Sequence, residues 1–173
     1  LALPTLKTLA QDKRDGVLRL VRALIEADHK VTLGEFVLLT ICGRQLGGGP
    51  KGPAAVKHRN IASAIAEAST VLSLLVHAGG GGMAAFDKGM SMLGARGGVL
   101  SAPTELHFEA VERSLSELNL LAPLKKPLFI KACVAVAMAD DKLTVVEGEL
   151  LQAICAALDT PLPPILETTE VVA

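Results

Sequence analysis

Tryptophan and tyrosine are absent from this 173-residue chain, and phenylalanine occurs only four times. A β-sandwich core draws heavily on aromatic and β-branched residues, so the shortage points away from one. It also removes the platforms on which single-stranded nucleic acid stacks. Charge of either sign is not in excess: 17 Lys and Arg against 18 Asp and Glu leave −1. That is too small a field to attract a phosphate backbone or an anionic membrane surface, and no nucleic-acid partner is expected. The three cysteines, Cys42, Cys133 and Cys155, show no C-x-x-C spacing. An odd number of them on apolar stretches reads as buried, reduced thiols. No uncharged run reaches the ~20 apolar residues of a membrane span. The longest, 68–86, holds His77 and four consecutive glycines at 79–82, so membrane insertion is not expected. An initiator methionine and a signal-peptide pattern are also missing, which suggests a piece of a longer protein.

What the chain does have is aliphatic bulk. Half its residues are hydrophobic, mostly Ala, Leu and Val, which suits close-packed helices. The stretch 127–158 is the most telling: a nearly uncharged helix with Lys131 as its one charge before Ala139, an acidic turn, then an amphipathic helix. A helix apolar on almost every side must be surrounded by others, so this one is expected at the centre of a bundle. Helical spacing and breakers divide the rest into helices over 12–26, 32–46, 54–78, 83–93 and 103–121, with loops at 47–53 and 94–102. The expectation is an all-α fold of about seven helices, one domain over 1–159. The tail 160–173, with three prolines in its first five residues, should be extended.

The chain also repeats itself. Displaced by 112 positions, residues 3–46 fall on 115–158 with 14 of 44 pairs identical. The densest match sets Ala27-Asp28-x-Lys30-x-Thr32-x-x-Glu35 on Ala139-Asp140-x-Lys142-x-Thr144-x-x-Glu147, followed by Leu38-Leu39 on Leu150-Leu151. Two copies of a helix–acidic turn–helix unit, joined by central helices over 54–114, suggest a bundle with pseudo-twofold symmetry.

Each turn contains T-x-x-E, the pattern of a capping box. The threonine accepts from the free N–H three residues on, and the glutamate reaches back to the threonine's own N–H. Asp28 and Asp140 can accept backbone N–H bonds within the turn. This reading accounts for the Asp, Thr and Glu of each turn without a ligand. The competing reading is a divalent cation held by Asp28 and Glu35, or by Asp140, Asp141 and Glu147. Hard cations want six or more oxygens and calcium loops want acidic or amide residues at alternate positions; here lysine takes the third place.

Other constellations carry less. Residues 47–52 (GGGPKG) fit G-x-G-x-x-G in form, but no strand precedes them and a proline interrupts, so they read as a linker. His29, His58, His77 and His107 are not spaced as zinc ligands and read as surface or helix-end residues. Cys133 and Cys155 read as core, and no G-x-S-x-G elbow is present. A Ser/His/acid triad assembled from distant positions is left open.

The paired A-D-x-K-x-T-x-x-E turns, each followed by a Leu-Leu helix, resemble the TerB-like (tellurite-resistance) helical domain. In that family the turn carries Asp-Gly, and here His29 and Asp141 stand in the glycine's place. Residues 121–166, with AFDKGMSMLG at 85–94 upstream, are similar to the C-terminal extension of bacterial membrane-bound zinc metallopeptidases of the HtpX and CAAX-prenyl-protease class. That resemblance implies a non-catalytic regulatory or interaction domain on the cytoplasmic side of an inner-membrane protein. Its partners are then the parent peptidase domain, a protein substrate or a second copy of itself. The zinc belongs to the parent: no H-E-x-x-H occurs in this chain, so none of the family's zinc ligands can be assigned here.

Overall fold

The computed structural model describes residues 56–163, together with positions 12, 13, 16, 19 and 20, which are helical. Apart from those five positions, the first repeat copy lies outside the described residues, and with it Asp28, Glu35, His29 and Cys42. So do the linker at 47–52 and the tail beyond residue 163.

The described chain is all-α. Five helices follow one another: α1 (Ile65–Gly79), α2 (Gly82–Leu93), α3 (Phe108–Asn119), α4 (Lys126–Ala137) and α5 (Val145–Ala157). Short 3-10 turns precede α1 at Ile61–Ala64 and α3 at Pro103–Glu105. Among the described residues the one isolated strand-like pairing is a parallel bridge between His58 and Leu121.

Two expected helices start later than their periodicity suggests. The helix expected over 54–78 begins at Ile61, because Asn60 caps it: its Oδ1 accepts from the Ser63 N–H at 3.1 Å. Residues 56–60 instead run alongside the segment after α3, where Leu120 O accepts from Lys57 N at 2.9 Å and Ala122 N donates to His58 O at 2.8 Å. The helix expected from Pro103 is interrupted. Ala102 N donates to Glu105 Oε2 at 3.0 Å and closes a single turn, and Leu106 leaves helical geometry with ψ 47°. α3 then restarts at Phe108.

Among the described helices the expected central one, α4, shares its place with another. α4 is densely buried, with Phe129 and Cys133 fully enclosed, but α1 is the helix that packs against all four of the others. Leu72, Leu75 and Val71 on α1 are fully buried. Its serines do not prevent this: Ser69 Oγ donates to Ile65 O at 2.8 Å and Ser73 Oγ to Ser69 O at 2.7 Å. A hydroxyl satisfied by its own helix costs little to bury. The run Ile61–Gly79 is long and apolar enough to cross a membrane by length and composition, yet half of its window is buried inside the protein.

Glycine and lysine fix the remaining joints. α2 and α4 meet closely at Gly89, where a Cβ would stand 2.5 Å from Val136 Cγ2. Buried Lys126, the first residue of α4, donates to Asn119 Oδ1 at 2.7 Å and to Leu158 O at 2.9 Å. One ammonium thus closes the ends of α3 and α5 onto the start of α4, where a positive charge also suits their C-terminal dipoles.

Candidate functional site

The acidic turn between α4 and α5 lies in the second segment of the sequence repeat, 115–158, which falls within the described residues. α4 ends at Ala137, and Met138 N still donates to Val134 O at 2.9 Å. Asp140 then accepts the Lys142 N–H on Oδ1 at 3.1 Å, so its carboxylate holds the bend. Asp141 turns the chain with φ 61°, the left-handed region that an L side chain adopts at a cost.

Thr144 starts α5 as the capping pattern predicts. Its Oγ1 accepts from the Glu147 N–H at 3.3 Å, and Glu147 Oε2 accepts from the Thr144 N–H at 2.9 Å. The Thr144 hydroxyl also donates to that oxygen, at 2.7 Å. Glu147 is only 4% exposed, and its other oxygen lies against the α-carbon of Gly79, where a Cβ would collide with it. The corner is therefore seated on the end of α1. Among the described residues no donor reaches that second oxygen, Oε1.

Of the candidate ligands, Asp140 and Asp141 are exposed and adjacent in sequence, whereas Glu147 faces inward. Among the described residues no three His, Cys, Asp or Glu side chains converge as a metal group. One oxygen each of Asp140 and Glu147 is already engaged in the turn, whereas a hard cation wants six or more oxygens.

Both described cysteines sit in the core. Burial pushes the Cys155 thiol up to about 11. It also raises Cys133 well above the ordinary thiol value, with the neighbouring Cys155 adding to the effect. A thiol held protonated at neutral pH is a poor nucleophile.

A second polar cluster was not anticipated. His58, read from sequence as a surface or helix-end residue, is 8% exposed and belongs to a network. Its Nδ1 lies 3.1 Å from Ser63 Oγ, and its Nε2 lies 3.1 Å from Glu117 Oε2. Lys57 Nζ donates to the same carboxylate oxygen at 2.7 Å. The Ser–His–Glu connectivity has the order of a nucleophilic triad, but the groups that matter are spent on structure. The Ser63 hydroxyl donates to Asn60 O at 2.8 Å, and the Ser63 N–H is taken by Asn60 Oδ1. No nearby pattern announces this cluster in the sequence, because Glu117 comes from a helix 59 residues away from His58. His77 and His107 are helix-end residues as expected: His77 Nε2–H donates to Ser101 O at 2.8 Å from the last turn of α1, and His107 is the N-cap residue of α3.

The cluster has a pH signature. The Lys57 ammonium, and then His58, hold the Glu117 carboxyl below its ordinary 4.5. A carboxyl depressed in the folded state stabilises above its unfolded value, and that contribution fades as pH falls through the folded one. Wild-type stability to urea is expected to decline on acidification below about 4.5, and Glu117→Gln should flatten that part of the profile. An unchanged slope in the variant would remove Glu117 from the acid response.

No protein family, curated protein or solved structure matches this chain.

Proposed function

We propose that the chain is a non-catalytic helical interaction module, TerB-like in build, serving as the regulatory C-terminal domain of a membrane-associated zinc metalloendopeptidase. The observation that carries the TerB-like part is the corner between α4 and α5. It is a capped turn whose position 141 is in the left-handed region with φ 61°, the conformation for which glycine is the natural residue and where that family has one. The first copy, by the same reading, forms an equivalent corner, which brings the whole to about seven helices in one domain. Attachment to a peptidase rests on the likeness of residues 85–94 and 121–166, and the cytoplasmic face of the inner membrane follows from the same likeness.

An interaction role also fits the surface around the corner. Val145 and Val146, on the first turn of α5, are 42% and 43% exposed, and Met83, on the first turn of α2, is 57% exposed. Gly79 touches Glu147 and lies four residues before Met83, so both helix starts are at one end of the bundle. Exposed apolar side chains gathered at one end are what a docking module offers its parent domain or a substrate. The direct test is the coding sequence upstream of Leu1. Several apolar spans and an H-E-x-x-H helix are expected there; an upstream region lacking both would end the peptidase reading.

A divalent cation at the corner is the second reading, favoured by the two adjacent exposed carboxylates and by Glu147 Oε1, which no described donor reaches. Asp141→Gly separates the two. As a structural position, it relaxes a left-handed residue, and the substitution should add on the order of 0.5 kcal/mol. That gain should be the same in calcium, magnesium or chelator. As a ligand, Asp141 would instead support a metal-dependent rise in melting temperature that the variant loses.

A further inference from the structure

We draw no further inference here: the strongest candidate, the Ser63–His58–Glu117 cluster between the segment before α1 and the side of α3, belongs to the structural tie already described, with its serine hydroxyl and backbone N–H both committed to Asn60.

Discussion

Leu72→Ala is expected to destabilise the protein by about 4 kcal/mol, a large fraction of the roughly 5–15 kcal/mol that holds a domain together. Leu72 is fully buried on α1, and its Cδ1 lies against Gly89 of α2, beside Val136 of α4. Truncation removes the transfer free energy of the side chain. It also leaves a cavity that cannot collapse easily, because three helices border it and one of them already meets its neighbour at a glycine. Leu74, two residues on and only partly buried, supplies the internal control. Leu74→Ala should cost about 1 kcal/mol, and Leu124→Ala, at a side chain 91% exposed, should fall within about 0.5 kcal/mol of wild type. Urea unfolding of the three variants at constant slope measures the contrast. Equal losses at Leu72 and Leu74 would mean that α1 is not the helix around which the others are packed.

That α1 holds this place was hard to read from the sequence, and the reason is local. The stretch 127–139 stands out by its single charge, whereas Glu67, His77 and the hydroxyls of Ser69, Thr70 and Ser73 interrupt the run 65–79, although Ile61–Gly79 is apolar enough overall to span a membrane. Inside the helix those hydroxyls donate to carbonyls four residues back, at 2.7 to 3.1 Å, and much of their polarity disappears. Ser73 goes further and accepts the Ser101 N–H at 2.9 Å, pinning the loop before α3 to α1. The 127–158 hairpin, by contrast, was legible in type and nearly in its bounds, because its apolar pattern, Pro127 and the T-x-x-E cap all agree. The same agreement made the cap itself readable down to which atom accepts from which. What neither periodicity nor capping grammar contains is long-range pairing. The segment 56–60 leaves its expected helix because it finds Leu120 and Ala122 across the bundle, and His58 becomes buried as a consequence. The seat of Glu147 on Gly79 belongs to the same class, since the two residues are far apart in the chain and the glycine run 79–82 reads from sequence only as a breaker.

Gly79→Ala is expected to cost about 2 kcal/mol, and the loss should vanish when Glu147 is also replaced by alanine. Gly79 is the last residue of α1 and its backbone is not in the left-handed region; only the next residue, Gly80, is, with φ 70°. Alanine is therefore acceptable to the backbone at 79 and, as the better helix former, is worth up to about 1 kcal/mol there. The obstacle is the carboxylate. A Cβ at this position occupies the place of Glu147 Oε1, and moving that group breaks its two bonds from Thr144 while leaving it in an enclosed site. Loss of the reciprocal cap costs on the order of 1 kcal/mol, and a displaced buried charge adds at least as much. Glu147→Ala alone should cost about 1 kcal/mol through the cap. In that background Gly79→Ala meets no carboxylate and should be neutral or slightly stabilising. The resulting coupling is about 2 kcal/mol of opposite sign to the single losses, well outside the additivity expected of independent sites. Gly80→Ala serves as the contrast: its cost arises from backbone conformation, about 1 kcal/mol, and should add to Glu147→Ala without coupling. Simple additivity of Gly79→Ala and Glu147→Ala would show that the corner is closed by its own cap alone and does not rest on the end of α1. In that case the orientation of α5, and with it the apolar surface at Val145 and Val146, must be set by the Leu150, Leu151 and Ile154 core contacts instead.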